Sequence, residues 1–158
     1  ITGTDNVGIN TASIWRITAT VTGNAAPIAT NWEEVDSYGF GILGTSITES
    51  SGVFTVPSTG YWCVQAFAWF EFSEVQTYAY VSLQETTDNS NWYTCSINIG
   101  SAHTGGHDSV YTTHIADVTN TSNHKFRLTI THGNGGNDTL GTTDDNRTGI
   151  MFIRLGDT

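Results

Sequence analysis

Two histidines and an aspartate stand close together in the sequence. His103 and His107 lie in the segment GSAHTGGHD, and Asp108 directly follows the second histidine. Two imidazoles and a carboxylate form a ligand set that zinc or copper accepts. The spacing falls in a glycine-rich turn and not on a helix face, so the pattern does not make the three side chains converge. We expect a solvated hairpin loop here, with a metal site as the alternative.

A second group of polar residues could bind calcium. The segment GNDTLGTTDDNR carries side chains with hard oxygen ligands of the kind that calcium prefers, at Asp138, Asp144, Asp145 and Asn146. Their spacing is not that of a defined calcium-binding loop. Loops as long as 133–147 tend to be functional or mobile, so we expect recognition or anchoring at this loop.

The sequence lacks the common motifs of catalysis. It contains no Gly-x-Ser-x-Gly elbow, no His-Glu-x-x-His pair and no phosphate-binding loop followed by lysine. Adjacent carboxylates occur at Glu33–Glu34 and Asp144–Asp145. Glycoside hydrolysis needs two carboxylates that flank one cleft, whereas adjacent residues on a strand face opposite ways. We therefore expect no enzymatic activity and, calcium apart, no cofactor.

Charge and hydropathy exclude two classes of partner. The 158 residues include 15 acidic and only five basic side chains, for a net charge of −10. Nucleic acids and anionic membrane surfaces both require clusters of lysine and arginine. No stretch approaches the roughly 20 apolar residues that cross a bilayer, so we expect no membrane insertion. The opening residues ITGTDNVGIN show no signal-peptide pattern.

Short strands separated by turns are predicted along the whole chain. Thr, Ser, Asn and Gly are abundant, and no sustained helical period is visible. The predicted strands are 14–21, 38–43, 53–56, 61–72, 77–84, 92–99, 109–118, 125–132 and 148–155. Strands of this number and spacing are typical of one all-β sandwich or barrel.

The predicted strands are of two kinds. Strand 125–132 alternates cleanly, and strand 92–99 also does, with Tyr93, Cys95, Ile97 and Ile99 expected on its buried face. Strands 61–72 and 148–155 are apolar on both faces instead. Exposing Phe67, Trp69, Met151 and Ile153 together would leave a patch larger than soluble monomers usually tolerate.

A second apolar face on these strands predicts self-association. The alternative is that loops or the curvature of a barrel cover this face within one chain. Burying one aromatic or large aliphatic side chain contributes about 1.5–3 kcal/mol, so a partner surface is the simpler solution. The same faces put Cys95 in the core and Cys63 on the second face of another strand. We accordingly expect two free thiols.

The segment SGVFTVPSTGYW at 51–62 resembles the signature of the C1q/tumour-necrosis-factor superfamily. The opening strand RITATVTGN and the closing strand TGIMFIRLGDT resemble the same family, so the resemblance spans nearly the whole chain. It implies a two-sheet antiparallel jelly-roll sandwich of about ten strands over 14–158, after an N-terminal arm or linker over 1–13.

The resemblance further implies a compact homotrimer. Its inter-subunit face would hold residues of three strands, namely Cys63, Gln65, Phe67, Trp69, Tyr111, Thr113, Met151 and Ile153. His114 would bring three copies together if it lay near the threefold axis. Some trimers of this family bind calcium near the apex, which favours the calcium alternative.

The Asn/Thr/Gly-rich lead-in ITGTDNVGINTAS resembles the junctions of bacteriophage fibre and spike proteins. The first hypothesis is thus a virion surface module (a knob, fibre tip or capsid decoration) held to other virion proteins by its arm. The second is a lectin-like head that binds a host glycan or protein through loops 86–91, 100–107 and 133–147, with Trp92 and Tyr93 beside the first loop. The third is a secreted C1q-like adhesion or defence protein, which would act outside the cell.

Overall fold

The chain forms an all-β sandwich of two antiparallel sheets. The computed structural model describes residues 8–73, 77–133 and 135–158. In this part of the chain there are twelve strands and no helix, so no helix could cross a membrane. The strands are β1 (Ala12–Ile17), β2 (Val21–Thr22), β3 (Trp32–Glu34), β4 (Thr48–Ser50), β5 (Val53–Thr55), β6 (Gly60–Phe72), β7 (Thr77–Thr86), β8 (Tyr93–Ala102), β9 (Gly106–Val118), β10 (Lys125–His132), β11 (Asp138–Thr139) and β12 (Gly149–Gly156).

The longest strand, β6, organises the larger sheet. Strand β9 pairs with β6 along its full length on one side. On the other side β12 pairs with the first half of β6, and β11 pairs with its end. Strands β1 and β3 continue the sheet beyond β12, and β2 continues it beyond β11. The smaller sheet has the order β4, β5, β10, β7, β8.

Alternation along β6 and β12 is confirmed by the burial of the inward side chains. The inward residues of β6 from Trp62 to Phe72 are essentially inaccessible, as are Ile150 and Phe152 of β12. Because side chains alternate between faces with a period of two, the apolar residues between them must lie on the opposite face of the sheet. Phe126, Leu128 and Ile130 of β10 complete the core from the smaller sheet, as predicted.

The predicted strand at 38–43 is wrong. Tyr38 and Gly39 have φ angles of 58° and 80°, which belong to a left-handed turn and not to a strand. Leu43 alone forms an isolated bridge, with Ala12. The aromatic and aliphatic residues of YGFGIL suggested a strand, but the two glycines allow the backbone to turn there.

The predicted buried face of strand 92–99 is also wrong. The pairing of β7 with β8 shifts register between Leu83 and Gln84, so Cys95 forms a bulge. One extra residue moves the following side chains to the other face. Ile97 is therefore 55% exposed and Ile99 is exposed as well, and Tyr93 is 62% exposed at the strand end. Only Cys95 of the four packs against the core.

Other boundaries differ by a few residues. Strand β1 begins at Ala12, two residues before the predicted domain start, and residues 1–7 of the predicted arm lie outside the described residues. The short strands β3, β4 and β11 were not predicted, and the predicted strand 14–21 is divided into β1 and β2, so the described part of the chain has twelve strands where about ten were expected. Strand β11 lies inside the segment 133–147 that was predicted to be loop.

Candidate functional site

The outer face of the larger sheet is the surface that faces away from the core. Strand register places its residues in three rows, each running from β1 through β12 and β6 to β9. The rows are Ala12, Ile153, Cys63 and Ile115; then Ile14, Met151, Gln65 and Thr113; then Arg16, Gly149, Phe67 and Tyr111. Trp69 extends the face beside Ser109. All eight residues predicted for an inter-subunit interface lie on this one face.

Apart from Arg16, which is buried against Glu33, this outer face is mostly apolar and accessible to solvent in the single chain. Tyr111 is 65% exposed and Ile115 is 59% exposed, while the larger side chains of β6 and β12 are half-buried. Sequence reasoning missed Ile14 and Ile115. The alternation of 109–118 could have identified Ile115, because it continues the series of Tyr111 and Thr113.

Gly149 makes room for the Phe67 ring on this face. A Cβ atom at position 149 would lie 2.7 Å from Phe67 Cζ and 2.1 Å from the carbonyl oxygen of Trp15. Both distances are far inside van der Waals contact. Glycine therefore lets the ring lie against strand β12 without pushing the β1–β12 pair apart.

Charged side chains mark one end of the outer face. The Arg147 guanidinium lies 5.1 Å from the centre of the Trp69 ring, and its Nε donates to Asp145 Oδ1 at 2.9 Å. The ring of His107 meets Trp69 edge-on at 5.9 Å. An open groove runs between these residues and Tyr111. A cation and two aromatic rings at the border of an apolar face form a polar rim of the kind seen around protein interfaces.

The predicted zinc or copper ligands do not come together. His103 is exposed in the turn between β8 and β9, and His107 faces outward from β9. Asp108 points the other way, where its carboxylate accepts a hydrogen bond from the Ser101 amide at 3.0 Å. The solvated turn is confirmed for His103 only, since His107 belongs to a strand.

The predicted calcium ligands are also spread out. Asp138 lies in β11 and accepts a hydrogen bond from Thr22 at 2.6 Å, whereas Asp145 pairs with Arg147. Within the described part of the chain, the carboxylates of Asp138, Asp144 and Asp145 do not meet within 4.8 Å of one another. Asn146 lies in the groove beside Arg147. The geometry lends no support to calcium at these four residues, and its binding stays a prediction.

The carboxylates of Glu33 and Glu34 face opposite ways, as the strand pattern predicts. Glu33 accepts a 2.6 Å hydrogen bond from the buried Arg16, and Glu34 accepts hydrogen bonds from Ser13 and Ser46. Each carboxylate is engaged on its own side of β3. Together they cannot flank one cleft.

Loop 87–91, inside the first of the predicted ligand loops, is organised by one carboxylate. Asp88 accepts hydrogen bonds from the backbone amides of Ser90 and Asn91 and from the Asn91 side chain. These donors hold the pKa of Asp88 well below its usual value. Beside the loop, Trp92 stacks 4.2 Å from the Arg127 guanidinium, so Trp92 covers strand β10.

A cluster of titratable groups lies between the sheets at the ends of β7, β8 and β9. His124 Nε2 lies 2.8 Å from one oxygen of Glu85, and His114 Nε2 lies 3.4 Å from the other. The His124 hydrogen bond is the main cause that holds the pKa of the Glu85 carboxyl below its usual value. His114 thus points between the sheets, so the condition under which its three copies would meet at a threefold axis is not fulfilled.

The two cysteines lie on different sheets and both are free thiols. Cys95 joins the Glu85 cluster, and burial, together with the charge of Glu85, raises the pKa of its thiol to about 12. Cys63 lies on the outer face of the larger sheet, in the row of Ile153 and Ile115. The two positions agree with the predicted faces.

No protein-family model and no curated protein matches this sequence. Several solved structures do match. Eiger TNF from S. frugiperda is 16% identical with a TM-score of 0.67, and the match covers 93% of each chain. Murine APRIL at pH 5.0 is 12% identical with a TM-score of 0.65, over 92% of this chain and 99% of that one. Murine APRIL at pH 8.5 is 13% identical with a TM-score of 0.57, over 91% and 99%.

At these identities the likeness concerns the fold alone. The strand order and the two antiparallel sheets agree with the jelly roll that the SGVFTVPSTGYW segment implied. The expected likeness to phage head domains finds no support among these structures. The chain has a TNF-like jelly-roll fold.

Proposed function

We propose that this protein is a non-enzymatic homotrimeric module whose copies pack through the outer face of the larger sheet. The observation that carries the proposal is the exposed apolar surface of that face, which is most accessible at Tyr111 and Ile115 of β9. Arg147 covers part of Trp69 at one end of the second face of β6 and β12, whereas Tyr111 and Ile115 on the neighbouring β9 stay more than half exposed. A further copy of the chain is the occupant that the TNF-like fold and the sequence resemblance both favour.

Burial at such an interface supplies enough free energy for association. Fully burying an exposed large apolar side chain contributes about 1.5–3 kcal/mol, and the side chains of this face that are already half-buried contribute a fraction of that. Three copies would bury Phe67, Trp69, Met151, Ile153 and Ile115 from each chain. Association costs an estimated 4–15 kcal/mol in lost freedom of motion, so several such side chains per subunit offset it.

The test is an exposed-residue substitution with a matched control. Ile115→Asp places a carboxylate on the proposed interface, where Ile115 is 59% exposed in the single chain and makes little contact within it. Ile97→Asp makes the same change at a 55% exposed residue on the smaller sheet. Burying an uncompensated charge in each subunit is strongly unfavourable. We expect Ile115→Asp to be monomeric and Ile97→Asp to keep the wild-type assembly.

Sedimentation velocity and native mass spectrometry measure the outcome, with circular dichroism as a check on folding. The wild type should show three times the mass of the chain at micromolar concentration. A wild type that is monomeric there would overturn the proposal. A trimer that persists in Ile115→Asp would show that the copies meet through another surface.

A recognition head is the second candidate function. The smaller sheet exposes Tyr78, Ile97 and Ile99 on its outward face, with Tyr80 packed against Tyr78 at 5.2 Å between ring centres. The proposed trimer leaves this face uncovered, because it lies on the other side of the sandwich. Aromatic and aliphatic side chains of this kind favour a protein partner over a free sugar.

Glycan arrays and cell-binding assays test the recognition candidate. Saturable binding that is lost in Ile97→Asp but kept in a Tyr93 variant would favour the sheet surface. Binding lost in Tyr93→Ala or Trp92→Ala would favour the predicted loops. No saturable binding in either assay would favour a structural module.

The location of the module is proposed from observations other than those on its assembly. A virion surface rests on the lead-in ITGTDNVGINTAS alone, and most of that segment lies outside the described residues. A secreted C1q-like or TNF-like protein is supported equally well by the fold. Both would act outside the cell. Residues encoded next to this segment would distinguish a virion anchor from a secreted stalk.

A further inference from the structure

Three side chains from three strands converge between the sheets. Glu85 lies near the end of β7, Cys95 lies in β8 and His114 lies in β9 of the larger sheet. A carboxylate oxygen, the thiol sulfur and an imidazole nitrogen from these residues all lie within 4.8 Å of one another. In the described part of the chain, no other set of three such groups is this close.

The bulge in β8 puts the sulfur there. Because Cys95 is the residue without a cross-strand partner, its side chain turns toward the core while Ser96 stays opposite Leu83. Bulges often re-aim one side chain at a functional position. The sulfur now lies 3.3 Å from the Leu83 carbonyl oxygen, to which the thiol donates.

We propose that Glu85, Cys95 and His114 form a binding site for a divalent transition metal of the zinc class. Thiolate, imidazole and carboxylate are the three ligand types that zinc takes in proteins. The 3.4 Å between His114 Nε2 and Glu85 Oε1 is a usual separation for two ligands of one tetrahedral ion. A thiolate and a carboxylate neutralise the charge of the ion, and a water molecule would supply the fourth ligand.

His124 positions the carboxylate without reaching the ion. It holds Oε2 of Glu85 at 2.8 Å, which leaves Oε1 directed toward His114. Its own ring is stacked on Phe126, with 5.1 Å between ring centres. Partners that orient a metal ligand typically change affinity by 10- to 100-fold when they are removed, and we expect that range for His124→Asn.

Binding of the metal ion releases one proton from the protein. The Cys95 thiol gives its proton to the solvent, releases the Leu83 carbonyl and forms the sulfur–metal bond, with no change in oxidation state. The site joins β7 and β8 of one sheet to β9 of the other. A bound ion should therefore stabilise the sandwich as any ligand of the native state does.

Cobalt and zinc titrations of the full chain test the site. With Co²⁺ we expect a sulfur-to-cobalt charge-transfer band and a visible spectrum of a four-coordinate ion, both displaced by Zn²⁺. Cys95→Ser should abolish the charge-transfer band, and His114→Gln and Glu85→Gln should each weaken binding at least tenfold. The matched controls are Cys63→Ser and His103→Asn, which should bind like the wild type.

X-ray absorption on the wild type with zinc does not depend on how the variants fold. One sulfur and two or three nitrogen or oxygen neighbours support the proposal. A zinc ion with only nitrogen and oxygen neighbours, or a cobalt band unchanged in Cys95→Ser, would overturn it. Failure of the wild type to bind zinc at millimolar concentration would overturn it as well. The oligomeric state does not enter these outcomes, since all three ligands belong to one chain.

Discussion

At the scale of single residues, the interior holds a histidine whose protonation opposes folding. His132 is buried near the end of β10, where its Nε2 lies 3.1 Å from Thr139 Oγ1 and its ring meets Phe70 edge-on. Burial lowers the pKa of His132 below its usual 6.5, although the nearby Asp138 partly opposes the shift. The folded protein therefore binds this proton less readily than the unfolded chain does.

This difference predicts a loss of stability in mild acid. Neutral His132 contributes fully to the free energy of unfolding above pH 6.5, which is the pKa of this histidine in the unfolded chain. The contribution is lost as the pH falls toward the lower pKa of the folded state. We expect the free energy of unfolding to fall as the pH drops below 6.5, and His132→Gln to reduce that fall. Urea unfolding at fixed protein concentration measures it. An equal fall in both proteins would mean that other groups govern the acid sensitivity.

At the scale of elements, the sequence predicted strands by alternation and missed the places where alternation breaks. The buried faces of β6, β10 and β12 followed directly from their period of two. The bulge at Cys95 could not be predicted, because an extra residue in one strand depends on the register of its neighbour β7. Strand β11 was missed for a related reason. Two residues such as Asp138–Thr139 have no periodicity, and only their pairing with β6 and β2 makes them a strand.

The candidate site was predictable only in part for the same reason. The outer face of β6 and β12 could be seen in the sequence because apolar residues occupied both sets of alternating positions. The cluster of Glu85, Cys95 and His114 could not, since its members lie on three strands of two sheets. Its convergence depends on tertiary packing. No spacing in the sequence indicates it.

Strand β12 offers a direct test of how the elements fit together. Gly149→Ala would place a methyl group against Phe67 and the Trp15 carbonyl, so strands β1, β12 and β6 must shift. We expect a loss of about 1–3 kcal/mol in the free energy of unfolding, as is usual for overpacking. Gly156→Ala is the control, because its Cβ would meet no atom within 4 Å. Chemical denaturation measures both, and equal stability of the two variants would contradict the close packing of Gly149 against Phe67 and Trp15.

At the scale of the whole molecule, charge and apolar surface act against each other. The net charge of −10 means that copies of the chain repel one another at neutral pH. The outer face of the larger sheet carries few acidic groups, so attraction between copies must come from apolar burial. Charged side chains such as Arg147 lie at its rim.

This balance predicts that added salt strengthens the proposed trimer. Raising ionic strength from about 0.01 M to about 0.15 M shortens the Debye length from about 30 Å to about 8 Å, which screens repulsion between whole subunits. Apolar burial is little changed over that range. We expect sedimentation equilibrium in sodium chloride to give a dissociation constant that falls with salt at pH 7. A constant that rises with salt would instead show that ion pairs across the interface, made by rim residues such as Arg147, hold the copies together. In that case Arg147→Gln would weaken association. If apolar burial holds the copies together, the dissociation constant of Arg147→Gln should still fall with added salt, because repulsion between the acidic subunits remains.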